Sequence, residues 1–431
     1  MDPTSLTDRA APWLTALDEA MSALDAAAQA RTAVVRVGLR LRLDDYDGLL
    51  ALEWLPDDAS RRGALAFRVD LGCAPSVELG QRTCALVPPT LEPHDVGLLL
   101  WAGSSDEAAG LNALLPTERA RAVELSLSGG VPETLEAAER FLDARTETLG
   151  RDMSRLALVR RRGDSLEALT ETALRVADPV ARLYALAELA SRGRDAPEPL
   201  RERWIAAAED AVGEVTDPIV PGEPHALLAL ISAGTDDHAA QRAFRQSMTL
   251  LPNDRDQYGR VRHDRMLLVA AARLSLPVWR EVVRSITDDR TLVPSAVTRG
   301  EVAYVISDSV RHLRAPSDRS TALTVCAELL RWRIPPVSRA AIVARLAEES
   351  ASIPGRAATS WLAELPKHLR EVRPDRDAVA VLPTVGRHLM RCAPDAILGN
   401  LSALPQPGLR VLLLTGAIDQ LAVSRLSVVG A

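Results

Sequence analysis

Residues 164–190 read DSLEALTETALRVADPVARLYALAELA, and this stretch predicts two helices joined by a tight turn. Asp164 can cap the first helix, because an aspartate side chain accepts hydrogen bonds from N-terminal amides. Asp178-Pro179 can cap and open the second, since proline suits a first helical turn. Apolar residues recur at helical spacing in both halves: Leu166, Leu169, Ala173 and Leu174, then Val180, Leu183, Ala187 and Leu189.

The same spacing continues to the C-terminus and predicts further helix pairs. Residues from about 105 onward show only the helical period. After a looser pair broken at Asp217-Pro218, the predicted pairs are 235–275, 277–314, 316–349, 357–391 and 393–425. Prolines at Leu276-Pro277, Pro335-Pro336 and Pro383 are read as helix starts. A unit of about 30–40 residues is typical of helical-pair repeats.

The segment from Ala173 to Ala190 resembles a degenerate HEAT-like repeat of bacterial α-solenoids. In such repeats Asp-Pro joins two antiparallel helices, and a following Arg-x-x-Ala-Leu packs against the next unit; here these are Asp178-Pro179 and residues 182–186. In pattern the resemblance covers residues 164–425, although Asp217-Pro218 lacks this sequel and most later turns lack Asp-Pro. It implies a curved stack whose concave face binds protein, and it implies no catalytic residues.

The N-terminal hundred residues follow a different period. Residues 5–30 predict one amphipathic helix, after which apolar and polar residues alternate over 35–43. Alternation is typical of a half-buried strand, so we expect a strand with an arginine-lined outer face. Asp44 to Gly48 predicts a hairpin turn. Further strands are predicted at 50–55, 65–71, within 77–87 and at 96–101.

These patterns together predict a mainly α protein with two domains. A small N-terminal α+β domain, a helix plus an antiparallel meander, would occupy residues 1–130. An α-α helical-repeat solenoid, HEAT-like in type, would occupy residues 131–431.

Composition restricts the class of function. The 431-residue chain is 47% hydrophobic, 25% charged and only 3% aromatic, with a net charge of −7. An acidic chain argues against nucleic acid as the main partner. Lys367 is the only lysine and follows Leu-Pro, so no phosphate-binding loop of the G-x-x-x-x-G-K-[ST] kind exists. The four cysteines form no C-x-x-C pair, and no apolar run could cross a membrane, so we expect a cytoplasmic protein.

Several residue groups invite a chemical reading but are better explained structurally. Asp44, Asp45 and Asp47 with Gly48 would place Trp54, not glutamate, at the twelfth position of a calcium loop. The adjacent carboxylates Glu348-Glu349 and Asp236-Asp237 point in different directions on a helix. We therefore expect a hairpin turn at the first group, and capping or solvation at the others.

Two His-Asp doublets and one cysteine complete the chemical candidates. His94-Asp95 and His263-Asp264 resemble metal-binding doublets, with His225 and His238 upstream of the second. His263 lies in a charged run, so a solvated helix face is expected there. Cys84 and His94 could form a thiol–imidazole pair, oriented by Asp70 or Asp95. Cysteine is more often a small buried hydrophobe. We assign no catalytic residue, metal site or cofactor.

The candidate protein-binding residues are tryptophan and arginine. Trp332 lies between Arg331 and Arg333 near a predicted helix end, and tryptophan beside arginine is typical of binding hot spots. Trp204 and Trp279 fall on apolar stripes and are expected in the core. Arg36, Arg40 and Arg42 would project together from the predicted strand toward an acidic partner, or pair with Glu53 or Asp70 on neighbouring strands.

The sequence therefore favours a non-enzymatic protein-binding scaffold or adaptor of a bacterial cell. Its partners would be proteins, with no nucleic acid and no membrane, and its oligomeric state is open. Two alternatives stay open. One is a regulatory or target subunit of a multi-protein system, such as a protease-linked conflict system, and the other is an enzyme with a thiol or metal site in the N-terminal domain.

Overall fold

The structure is a computed structural model. It describes residues 6–69, 75–87, 98–99, 101–102, 152, 155–156, 159, 165–250 without 194, 217 and 219, 257–288, and 295–429 without 357. The chain divides into two compact units, Met1–Leu189 with Leu421–Ala431, and Ala190–Gln420. The predicted boundary between residues 130 and 131 lies outside the described residues and stays a prediction.

The N-terminal region is helical, so the predicted antiparallel meander is wrong. Across the described residues every regular element is a helix and none is a strand. The first helices are α1 Leu6–Ser22, α2 Ala26–Leu43, α3 Asp45–Leu52, α4 Asp58–Val69 and α5 Val77–Leu86. Residues 98, 99 and 101 are also helical. The small α+β domain predicted from the alternating pattern therefore does not occur, while the mainly α class holds.

The alternation over 35–43 misled because α2 is buried on more than one side. It packs against α1, α3 and α4, and Val37, Leu39, Leu41 and Leu43 are all buried. A helix covered on several faces needs apolar residues outside a single stripe, and this removes the helical period from its sequence. Asp25 caps α2 by accepting from the Ala28 amide at 2.7 Å, which also ends the predicted 5–30 helix early.

The predicted hairpin at Asp44 to Gly48 is a helix start. Asp44 caps α3 by accepting hydrogen bonds from the amides of Tyr46 at 2.8 Å and Asp47 at 3.1 Å. Gly48 lies inside α3, where a Cβ would stand 2.6 Å from the Cα of Leu41 on α2. The glycine therefore allows two helices to pack closely, and the Asp-Gly pair does not form a turn.

The helix pair predicted at 164–190 is confirmed. The structure has α6 Leu166–Leu174 and α7 Pro179–Arg192. Asp178 accepts from the Ala181 amide at 2.7 Å, as expected for the cap of the second helix. The first helix is capped by Ser165 instead, whose hydroxyl accepts from the Ala168 amide at 3.3 Å.

The remaining helices build an array of packed pairs. They are α8 Glu198–Glu214, α9 Glu223–Ser232, α10 Asp237–Thr249, α11 Gln257–Leu274, α12 Leu276–Asp288, α13 Ala296–Ser309, α14 Pro316–Leu329, α15 Pro336–Ala351, α16 Thr359–Arg370, α17 Arg376–Cys392, α18 Ala396–Leu401 and α19 Pro407–Val429. One layer contains α9, α11, α13, α15 and α17, each packed against the next. The second layer contains α10, α12, α14 and α16, which pack against members of the first. This arrangement is compatible with a helical-repeat array.

Proline and tryptophan residues in this array are only partly where the sequence placed them. Trp204 and Trp279 are buried as predicted, and the Trp279 indole donates to the Ser309 hydroxyl at 2.7 Å. Pro336 opens α15 as predicted. Pro383 does not start a helix: α17 begins earlier, where Asp375 accepts from the Ala378 amide at 2.8 Å, and it continues through the proline.

Candidate partner-binding cleft

An open cleft of about 480 Å³ lies between α12 and α14, two successive helices of the second layer. Its lining combines arginine, one carboxylate, one tryptophan and aliphatic side chains. The lining residues are Arg280, Val283, Arg284, Thr287, Val325, Glu328, Leu329 and Trp332. We call this the Trp332 cleft.

Trp332 lies just after the C-terminal end of α14, in a turn whose backbone is held at both ends. Its amide donates to the Leu329 carbonyl at 3.0 Å, and its carbonyl accepts from the Arg339 guanidinium at 3.0 Å. The side chain is half-buried and lines the cleft. The indole is therefore less exposed than the sequence suggested, but one side of it faces open space.

The cleft is positively charged at its edge and apolar at its base. Arg280 and Arg284 are one helical turn apart on α12 and line the cleft together with Glu328. They are more exposed than Val283 and Leu329, which are buried. Arg331 and Arg333 are exposed on either side of Trp332 in the sequence. For the described part of the chain, no carboxylate lies within ion-pairing distance of Arg280 or Arg284.

The structure keeps two of the three arginines predicted to share a strand face together on a helix and turns the third, Arg42, inward. Arg36 and Arg40 lie on α2, half-buried, and their guanidinium groups stand 4.9 and 5.1 Å from the ring centre of Trp54. Arg36 also pairs with Asp18 at 2.6 Å, which is neither of the predicted partners. Arg42 points inward and donates to the Phe67 carbonyl at 2.5 Å. An arginine face on a strand is therefore wrong.

The sequence missed an exposed aromatic side chain beside these arginines. Trp54, just after α3, is 54% exposed and is stacked with Arg36 and Arg40. Tyr46 and Leu50 are also exposed, and Tyr46, Leu50 and Trp54 follow one another at intervals of four residues. That spacing would have indicated one helix face, had residues 44–55 been read as helical.

The His263-Asp264 doublet is buried, so the predicted solvated face is wrong there. His263 is 0% and Asp264 3% exposed, on α11. The Ser247 hydroxyl donates to the Gly222 carbonyl at 2.7 Å and accepts from His263 Nε2 at 3.0 Å. Because the Ser247 hydroxyl has one proton, a hydroxyl that donates to Gly222 can only accept from His263, so these contacts are explained by packing of the turn against α11.

A buried ionic cluster surrounds Arg345 of α15. The guanidinium, 1% exposed, pairs with Asp308 at 3.3 Å, with Glu348 at 2.6 Å and with Glu349. His388 of α17 also contacts Glu348, through Nδ1 at 2.5 Å. From the sequence we expected Glu348 and Glu349 to be solvated or to cap a helix, and that prediction is wrong. We call these five residues the Arg345 cluster.

A hydrogen-bond chain extends this cluster without giving a catalytic group. Burial raises the pKa of Glu348, but the hydrogen bond from His388 and the charge of Arg345 outweigh it and hold that pKa at about 2. His388 Nδ1–H therefore donates to the carboxylate, and Nε2 accepts from the Tyr304 hydroxyl at 2.9 Å. Burial raises the pKa of Tyr304 to about 12, so the phenol keeps its proton at neutral pH. These hydrogen bonds join Tyr304 of α13, Glu348 of α15 and His388 of α17, and so hold the three helices against one another.

The remaining chemical candidates are dispersed. Cys84 is exposed, Cys326 is buried and Cys392 is half-buried, whereas His94, Asp95, Asp70 and Cys73 lie outside the described residues. Burial raises the pKa of both Cys326 and Cys392 to about 12, which keeps these thiols protonated. Within the described residues no three His, Cys, Asp or Glu side chains lie together as a metal site would require. His238, upstream of the second doublet, is exposed on α10.

Comparison with known proteins supplies no relative. No protein-family model, no curated protein and no solved structure matches this chain. A search of the described helices for a membrane-spanning segment also finds none.

Proposed function

We propose that the chain is a non-enzymatic protein-binding scaffold of the cytoplasm, built as a HEAT-like helical-repeat array. The observation that carries this proposal is the Trp332 cleft, an open groove between α12 and α14 with a tryptophan on its wall and two arginines at its edge. Tryptophan and arginine are the residue types most enriched among interface hot spots. A scaffold needs such a surface and no catalytic group.

The charge of the cleft favours an acidic partner segment. Arg280 and Arg284 face the groove, and Arg331 and Arg333 lie close to it in the sequence, against the single carboxylate of Glu328. Such a patch on a chain with a net charge of −7 attracts acidic segments while the rest of the surface repels them. The occupant we propose is an acidic peptide segment of a partner protein.

The base of the cleft favours an apolar anchor on that segment. Val283 and Leu329 are buried, and the half-buried Trp332 indole closes one side. A leucine or aromatic side chain placed there would bury apolar surface against all three, at about 25 cal/mol per Å². Carboxylates beside that anchor would meet the guanidinium groups, which bind carboxylates in bidentate geometry.

Selection from a random peptide library on the full chain tests this proposal. We expect acidic peptides with one bulky apolar residue. Arg280→Glu/Arg284→Glu should weaken their binding about tenfold or more, which corresponds to about 1.4 kcal/mol. Trp332→Ala should cost about 2 kcal/mol, as expected for a hot-spot tryptophan. Lysine-substituted peptides should bind the charge-reversed chain in preference to the original.

A matched control separates the cleft from general electrostatics. Arg242 and Arg245 are exposed on α10, outside the cleft, and Arg242→Glu/Arg245→Glu changes the net charge by the same amount. We expect this control to bind the selected peptides as the original chain does. The cleft would be excluded as the binding surface if both charge-reversed variants lost the same amount of peptide affinity, or if Trp332→Ala left the affinity unchanged.

A further inference from the structure

A second cavity of about 180 Å³ lies in the unit that contains residues 190–420, and three arginines line it. They are Arg201, Arg273 and Arg314, with His312 and the buried Trp204 indole also on its wall. None of the described residues that line this cavity carries a carboxylate. We call it the Gly234 pocket, after the turn residue on which two of the arginines converge.

The turn between α9 and α10 brings two guanidinium groups together. Gly234 has φ +91°, and its carbonyl accepts from Arg201 Nη1 at 3.3 Å. The Arg314 guanidinium occupies the space that a Cβ on Gly234 would need. Both the positive φ and this close approach require glycine. The turn geometry thus positions Arg201 and Arg314 at the same opening.

Neither of these two arginines forms an ion pair with a residue that the structure describes. In the described part of the chain neither Arg201 nor Arg314 has a carboxylate within ion-pairing distance. The Nε of Arg201 is buried and has no hydrogen-bond partner there. Arg273 is 6% exposed and donates to the carbonyls of Ala190 and Leu230, both at 3.4 Å. Positive charges held around a partly enclosed space repel one another until an anion enters.

We propose that the Gly234 pocket binds the oxyanion group of a small ligand, a phosphate or a carboxylate. Guanidinium groups bind both through paired, charge-assisted hydrogen bonds. A water needs about 10–15 Å³ of such space, so 180 Å³ admits an oxyanion with a small organic part. The organic part would lie against Trp204. This site is separate from the Trp332 cleft and does not depend on the proposed function.

Calorimetric titration of the full chain with inorganic phosphate, at constant ionic strength and about pH 7, tests the pocket. We expect saturable binding with one phosphate per chain. Arg314→Gln should weaken it about tenfold, and Arg201→Gln/Arg314→Gln should abolish it. Arg314 is exposed, so its substitution should leave the helical circular dichroism and the thermal midpoint unchanged.

Arg242→Gln/Arg245→Gln is the matched control, because it removes two exposed arginines outside the pocket. We expect it to bind phosphate as the original chain does. A parallel titration with acetate identifies the oxyanion: tighter binding of acetate in the same variant-dependent way would assign a carboxylate ligand. The proposal is overturned if neither anion binds saturably, or if the pocket variants and the control bind alike.

Discussion

Replacing Arg345 by methionine should destabilise the chain strongly, and the loss should depend on pH. Arg345 is 1% exposed and pairs with Asp308, Glu348 and Glu349. Methionine fills about the same volume as the aliphatic part of the arginine side chain, but it carries no charge. The three carboxylates therefore lose the cation that they share. Breaking a buried ion pair by removing one partner costs about 3–5 kcal/mol, so we expect a loss of that size near neutral pH.

The pH dependence follows from the carboxylates that are left behind. Burial already raises the pKa of Glu349, and losing Arg345 raises it further. A carboxyl whose native pKa lies above its unfolded pKa binds more protons in the native state, so the variant regains stability as pH falls through that native pKa. The difference in unfolding free energy between the original chain and Arg345→Met should therefore be smaller at about pH 5 than at about pH 7.5.

Urea unfolding of both chains at the two pH values measures this difference. Arg311→Met is the control, because Arg311 pairs with the same Asp308 at 3.1 Å but its side chain is 43% exposed. An exposed pair contributes about 0–1 kcal/mol, so the control should change little. A loss in Arg345→Met as small as in the control, or one that is the same at both pH values, would refute this account of the cluster.

Three further predictions concern the same array and the thiols. The pKa of Glu348, about 2, lies below its ordinary value, so its stabilisation is complete above about pH 4.5 and is lost as pH falls toward 2; Glu348→Gln should flatten this acid limb of a denaturation profile. Gly416→Ala should lower the free energy of unfolding by about 1–3 kcal/mol, because the added Cβ would overlap the backbone of α17. Gly399→Ala is the control: the Cβ would enter open space on α18, so thermal melts should show a neutral or stabilising effect. Iodoacetamide at neutral pH should alkylate exposed Cys84 well before buried Cys326, whose pKa is about 12, and equal rates by peptide mass spectrometry would contradict the burial.

Helix pairs in the C-terminal array could be predicted because their signals are local. Asp178 and Pro179 act within one turn of the backbone, where the Asp178 side chain accepts from the Ala181 amide and Pro179 is the first residue of α7. The prediction of strands in the N-terminal region failed because the signal there is not local. In α2 the residues from Val37 to Leu43 are buried because several helices surround them. Burial on several sides depends on the tertiary structure and cannot be recognised from the spacing of apolar residues in the sequence.

The candidate sites were predictable only in part. Trp332 could be singled out from its arginine neighbours, but Arg280 and Arg284 lie some fifty residues earlier in the sequence and reach the cleft only when α12 and α14 become neighbours. Likewise His388 and Glu348 are forty residues apart, and only the packing of α15 on α17 joins them. Sequence reasoning treats charged residues as solvated by default, and that default fails at buried Arg345.

We propose that the array binds a protein partner through the Trp332 cleft. The most direct measurement is recovery of the partner with the full chain from cells that express it, combined with amide hydrogen exchange of the purified complex. We predict a stoichiometric partner that protects the amides of α12 and α14, is retained by Arg242→Glu/Arg245→Glu, and is lost with Arg280→Glu/Arg284→Glu. A partner that both variants retain equally, with no protection at α12 and α14, would contradict the claim.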